Sequence, residues 1–263
     1  MDTTRTAQTT PNHSHNPLEC AISEVNHRFL DDEVTIIACA MELEAEPFTT
    51  RLTDPTTVSV GPNRWTLGTV GGTPVCVLVT GIGLTNAAAA VARAHLILDS
   101  RIRAYICAGT CGGLASHTRV RDIIIGTEFV YSRADATAFG YAPGQIPGEP
   151  AAHRADRTLS DLAMTLENTG DDGRRVLVGQ VASSDAFITT DTVESMREVF
   201  PLAIGADMES AAAAHVCARC EVPFISVRGV SDLCGPQAGQ DFHIDAEEAA
   251  EASVEGVLAL LNT

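Results

Sequence analysis

Two stretches place carboxylates where a chain could use them. "GVSDLCG" (229–235) follows the apolar run "VPFISVR" and sets Ser231 and Asp232 at the carboxyl end of a strand-like segment. "ACAMELEAEPF" (38–48) does the same with Glu42, Glu44 and Glu46. A carboxyl group held there can give or take a proton once its surroundings shift its acidity. Ser-Asp pairs also make turns and helix caps, and acids gather at helix N-termini, so neither stretch decides the matter alone. "SVRGVSD" adds Arg228, "ADMES" adds Asp207, Met208 and Glu209, "VTGIGLTN" adds Thr80, and "SSDAFI" adds Phe187 and Ile188. Met and Phe at such places are ordinarily core residues.

Bringing these residues together requires strands that end on one side. Apolar runs at 34–41, 74–81, 104–110, 122–131, 175–184 and 223–232 predict strands. They are nearly continuous in apolar residues rather than alternating, which suits a sheet covered on both faces. Helical patterns lie between them, at Leu43–Arg51, Leu84–Leu98, Arg157–Glu167, Thr192–Val199, Glu209–Arg219 and Ala246–Leu261. The alternation predicts an α/β fold of three layers. "TVSVGPNRWTLGTVGG" (57–72) reads as an inserted hairpin, so the sheet is expected to be mixed. In such folds ligands collect beyond the carboxyl ends of strands. That selects Met41–Glu44, Thr80–Gly83, Gly109–Gly113, Ser183–Ile188 and Arg228–Asp232.

Composition narrows the class. The chain has 263 residues, 45% of them hydrophobic, enough for one large domain with a substantial core, expected over 33–263. No stretch approaches the roughly 18 apolar residues of a membrane span. Residues 1–32 are polar and rich in Thr, Asn, Pro and His; they lack the pattern of a secretory signal and read as a disordered tail. His13 and His15 within it read as solvated. Net charge is −17 and all 17 basic residues are Arg, so phosphate backbones are repelled and nucleic acid is not an expected partner. Eight cysteines include one C-x-x-C, Cys217 and Cys220, without a second pair at zinc spacing. Reduced thiols in a cytoplasmic protein are the expectation.

Five motifs taken together carry more than any one. "AMELE", "TAFGY", "DAFI", "DMES" and "RGVSD", in this order and spacing, resemble the 5′-methylthioadenosine/S-adenosylhomocysteine nucleosidases of the nucleoside phosphorylase/hydrolase superfamily. The resemblance runs from about Val34 to Leu261 and implies a three-layer α/β/α fold on a central mixed sheet, nucleoside phosphorylase-like. It implies hydrolysis of the N-glycosidic bond of 5′-thioether adenine nucleosides, with adenine released and neither metal nor organic cofactor. Asp232 would protonate the purine at N7, oriented by Ser231. Glu44 would activate the water, with Thr80 and Arg228 helping to position it. Glu209 would chelate the ribose hydroxyls and Met208 pack on the sugar. Phe187 would stack on the purine, and the Ile188 main chain would pair with its edge. Gly109, with Thr110, Cys111 and Gly112, would form a turn near the ribose. Phe242 would line the alkylthio pocket. Phe139 and Tyr141 would reach that pocket from a partner subunit, which implies a homodimer with shared sites.

One departure bears on the nucleophile. Phosphorolytic relatives hold phosphate with an Arg before the glycine-rich turn, where this chain has Cys107, and Glu44 stands where they carry a basic residue. An anion would be repelled, which favours water. Other readings remain: a nucleosidase for another adenine nucleoside such as aminodeoxyfutalosine, a purine nucleoside phosphorylase, or a non-catalytic nucleoside-binding protein. The joint presence of Glu44, Glu209, Arg228 and Asp232 speaks against the last.

Overall fold

All six apolar runs enter one ten-stranded mixed sheet. The computed structural model describes residues 16–30, 32–167, 174–235 and 238–261. In chain order the strands are β1 (Val34–Cys39), β2 (Thr53–Val60), β3 (Asn63–Val70), β4 (Thr73–Val79), β5 (Ile102–Gly113), β6 (Ile123–Tyr131), β7 (His153–Arg154), β8 (Val176–Ser183), β9 (Ala203–Asp207) and β10 (Phe224–Asp232). The α-helices are α1 (Pro17–Arg28), α2 (Glu42–Thr49), α3 (Leu84–Leu98), α4 (Arg157–Leu166), α5 (Thr190–Val199), α6 (Ser210–Arg219) and α7 (Ala238–Leu261).

β1 lies between β4 and β5, parallel to both. The expected hairpin forms as β2 and β3, and β3 runs antiparallel to β4. On the other side β5 pairs with two strands, parallel to β10 and, through a short antiparallel segment, to β9. β10 continues to β6, β6 to β8, and β8 to β9. Five strands thus close a ring. The sequence patterns did not predict this closure, because β9 ("AIGAD") is too short and too rich in small residues to read as a strand.

Every residue of β1 and β10 is buried, as their unbroken apolar character requires. α3 and α6 cover one face with small residues, Ala87, Ala90 and Ala94 meeting the Ala211–Ala214 run. α2, α4 and α7 cover the other through residues such as Phe48, Ala163 and Val257. Close approach of α7 depends on Gly229, where a Cβ would lie 1.8 Å from the Ala249 carbonyl oxygen.

Two expectations need correction. The polar N-terminal tail is not disordered throughout: Pro17–Arg28 form α1, capped by the Asn16 side chain accepting from Leu18 N–H. Val25 and Phe29, one helical turn apart, are buried in the main core. The Arg101 guanidinium donates to the Phe29 carbonyl and to Asn26 Oδ1. Ala21 and Ile22 pack against the same core, a pattern that the polar composition of the surrounding tail hides. His13 and His15 lie outside the described residues. The second correction concerns Gly109–Gly112, expected as a turn; they belong to β5, which runs on to Gly113. All eight cysteines are free, but Cys20 is exposed and Cys220 only half-buried, so not all are core thiols.

Candidate active site

The carboxyl ends of β1, β5, β9 and β10 surround one cavity of about 350 Å³. Glu44 lies in the first turn of α2, immediately after β1, where exposed backbone N–H groups favour an acid. Its Oε2 accepts from the N–H groups of Ala40 (3.0 Å) and Met41 (3.1 Å). Its Oε1 accepts from Thr110 N–H (2.8 Å) and the Thr110 hydroxyl (2.9 Å). The carboxylate is therefore clamped between two strand ends. Gly109 permits the clamp: its φ is +134°, and a Cβ there would meet Glu44 Cδ at 2.5 Å. From behind, the Ser253 hydroxyl of α7 accepts from Gly109 N–H and donates to the Val227 carbonyl, tying β5 to β10.

Beneath the cavity lies Arg228, fully buried in β10. Its guanidinium pairs with Asp207 Oδ2 at 2.9 Å and Glu209 Oε2 at 3.2 Å. It also donates to Cys107 Sγ at 3.0 Å, Ser210 Oγ at 3.3 Å and the Ala108 and Thr110 carbonyls. Two buried carboxylates around one buried cation satisfy a charge that would otherwise be very costly. Asp207 is held in turn by the Ser183 and Ser210 hydroxyls. Glu209 Oε1 accepts from Gly83 N–H at 2.9 Å, which brings the G-I-G turn to the rim. Burial pushes the Glu209 carboxyl up to about 7; Arg228 opposes the shift, and Asp207 and Glu44 add to it. Burial also pushes the Cys107 thiol up to about 12, with Arg228 pulling the other way, so Arg228 faces a neutral sulfur there.

Asp232 ends β10 on the cavity wall. Its Oδ1 accepts from Cys234 N–H at 2.9 Å, and its Oδ2 lies 3.1 Å from the Ser231 hydroxyl. The turn reading and the chemical reading of Ser-Asp therefore coexist: one oxygen fixes the turn and the other meets Ser231. Of the residues singled out in the sequence, Glu44, Phe187, Met208, Glu209, Ser231 and Asp232 line this cavity, as do Asp207 and the Thr110–Gly112 segment expected near the ribose. Ile188 lines a small pocket adjoining it, which Phe187 and Met208 share. Thr80 is not among the lining residues; its hydroxyl lies within bonding distance of the Cys39 and Gly81 carbonyls. Arg228 and Gly109 stand behind the wall rather than on it. Phe139 and Tyr141 are not brought to the cavity; Phe139, in a 3₁₀ turn at Thr137–Phe139, is 84% exposed. Phe242 falls on α7, and its side chain lies outside the described residues. Sequence reasoning placed Thr110 near the ribose but not as the residue that holds Glu44, and it left Asp207 without a role. Only the folded partners reveal either one.

The fold is that of the phosphorylase superfamily, whose model matches residues 35–262. The chain is 38% identical over 226 residues to the 5′-methylthioadenosine/S-adenosylhomocysteine nucleosidase of Actinobacillus succinogenes, covering 86% of this chain and 96% of that protein. The crystal structure of the Neisseria meningitidis nucleosidase of that name, in complex with methylthio-immucillin-A, superposes with a TM-score of 0.82 at 32% identity, covering 87% of this chain and 98% of the other. The native futalosine hydrolase of Helicobacter pylori shares the fold, with a TM-score of 0.79 at 22% identity, covering 88% of this chain and 97% of the other. This chain belongs to the 5′-methylthioadenosine/S-adenosylhomocysteine nucleosidase family. Among the described residues no helix is long and apolar enough to cross a membrane.

Proposed function

We propose that this enzyme hydrolyses the N-glycosidic bond of 5′-methylthioadenosine and S-adenosylhomocysteine, releasing adenine and the S-substituted thioribose. The observation that carries the reading is one cavity lined by Glu44, Glu209 and Asp232 with Phe187 and Met208. Purine is a poor anionic leaving group and the sugar becomes cationic as the bond stretches. The Asp232 carboxyl proton passes to purine N7 while the C1′–N9 bond breaks. Water adds its oxygen to C1′ and gives a proton to Glu44. Anionic Glu44 and the buried carboxylates around Arg228 stabilise a developing cation and disfavour a phosphate nucleophile. Thr80 and Arg228 support the water site from behind. Glu209 receives the ribose hydroxyls, and Phe187 stacks on the base.

Two chains complete the site, Phe139 and Tyr141 of each reaching the 5′ pocket of the other. The nearly full exposure of Phe139 supports this, since a large aromatic left in water is typical of a surface that meets a partner. A two-fold dimer is the commonest closed assembly. Free thiols throughout support a cytoplasmic setting. The test is adenine release from a panel of 5′-substituted adenosines, with and without phosphate. Equal rates in both conditions and a free thioribose product are expected; a sugar 1-phosphate seen by phosphorus NMR would overturn hydrolysis. Sedimentation of a fully active monomer at assay concentration would overturn the shared site.

A further inference from the structure

A second polar cluster sits on the flank of the molecule, where β7, α6 and the loop over 132–152 meet. Glu149, His153 and His215 each present a ligand atom, and these atoms lie within 4.8 Å of one another. Glu149 Oε2 is 3.3 Å from His215 Nε2. Tyr131 Oη is 3.1 Å from His215 Nδ1, so the phenol fixes which way this ring faces. The His153 ring stacks on His215 with centroids 4.4 Å apart and planes 18° from parallel. His153 is only 5% exposed, and among the described residues no hydrogen bond engages either of its ring nitrogens. An imidazole with no hydrogen-bond partner on its ring nitrogens among the described residues, beside a second imidazole and a carboxylate, has a lone pair to offer an ion.

We propose that Glu149, His153 and His215 form a binding site for a divalent transition cation of the zinc class. Two imidazoles and one carboxylate are a donor set that zinc accepts, with a fourth position left to water. Zinc–ligand distances of about 2.0–2.1 Å place neighbouring donors about 3.4 Å apart in a tetrahedron. The His215–Glu149 pair already has that spacing. The two ring planes lie only 18° apart, and a tetrahedral ion needs donors that converge on it, so capture of the ion turns the His153 ring out of the stack. Tyr131 acts from outside: by accepting from His215 Nδ1–H it leaves Nε2 free to coordinate, the usual arrangement behind a ligating histidine. Arg219, whose guanidinium is 3.6 Å from Glu149 Oε1 and largely exposed, swings away as the carboxylate is taken up. The ion would tie the loop that carries Phe139 and Tyr141 to α6, whose N-terminus follows Glu209. Its role is structural and separate from the glycosidic chemistry.

The full-length protein, stripped with chelator and dialysed, is titrated with Co²⁺ as a spectroscopic probe and then with Zn²⁺ in competition. One cobalt per chain is expected, with the visible bands of a nitrogen and oxygen site and no thiolate-to-cobalt charge transfer. His153→Phe keeps a ring in the stack but removes the donor, and Glu149→Gln removes the anionic oxygen. Each should weaken binding by at least about 100-fold, beyond the 10- to 100-fold usual for losing a mere supporting residue. A His13→Ala/His15→Ala double variant should bind as wild type does. Melting curves of the metal-free proteins establish that each variant is folded. Unchanged affinity in the folded Glu149→Gln and His153→Phe proteins, a thiolate spectrum, loss of binding in the tail variant, or no saturable uptake would each overturn the site.

Discussion

The cavity floor and the flank cluster are served by the same helix, α6, yet they treat buried polar groups differently. At the floor, Glu209 and Ser210 face Arg228 and Asp207, and nearly every charged atom has several partners; only Arg228 Nε lacks one among the described residues. On the flank, His215 has one partner on each ring nitrogen, and among the described residues His153 has no hydrogen bond on either of its own. Burial acts on both regions by favouring neutral forms, and the directions differ only because one group is an acid and the other a base. Glu209 is pushed up to about 7, whereas burial and the neighbouring His215 push His153 down to about 4, Glu149 opposing. The floor is thus a locked electrostatic arrangement that positions chemistry. The flank keeps lone pairs in hand.

The largest test of this contrast removes Arg228, the one buried cation of the floor among the described residues. Arg228→Met leaves Asp207 and Glu209 uncompensated and should cost about 3–5 kcal/mol in urea denaturation. A loss below 1 kcal/mol would mean that the floor is not locked. Next is Asp232→Asn, which should lower kcat at least about 100-fold, equivalent to about 2.7 kcal/mol of barrier, while the melting temperature stays put. Near-normal turnover would remove Asp232 from its role. Val25→Ala empties a core position under α1 and should cost about 2 kcal/mol, read as a lower melting temperature. No change there would show that α1 adds nothing to the core.

The smallest effect is in pH. Glu209 has a folded value above its unfolded one, so its share of stability is complete below about 4.5 and is lost as pH rises through about 7. His153 has a folded value below its unfolded one, so its share is present above about 6.5 and is lost as pH falls towards 4. The two slopes oppose each other across the mildly acid range. Glu209→Gln should therefore leave a stability curve that rises with pH between 4.5 and 6.5 more steeply than that of the wild type. An unaltered slope would show that Glu209 is ionised throughout.

Much of the floor was legible in the sequence because strand ends announce themselves. "RGVSD" and "AMELE" each end an apolar run with charge, and the strand-end rule gathers them before any geometry is known; "DMES" entered only through the family resemblance, because β9 does not read as a strand. What stayed hidden depends on partners distant along the chain. Nothing near Asp207 signals that it faces Arg228, and Thr110 looks like a turn residue until β5 is seen to run through it. Gly109 read as a turn because glycine marks turns more often than it marks a carboxylate pressed against a strand. α1 was missed because Val25 is the one residue it buries, too little to show in the composition of the whole tail. The flank cluster had no signal at all: Glu149 and His153 lie in loop and short strand, and His215 lies inside an alanine-rich helix.

The closed ring of five strands has a kinetic consequence. β5 must wait for β10, with partners such as Ala108 and Arg228 separated by 120 residues, before its second long edge is paired. Pairings of such sequence separation form late and slowly. Until then β5 and β6 expose unpaired backbone, the kind of edge that recruits other chains. The residues that carry the chemistry of β10 also complete the ring, so activity should appear with the final step of folding. Refolding followed by adenine release would then lag behind refolding followed by helix content, and chaperones that shield strand edges would narrow the gap by raising yield.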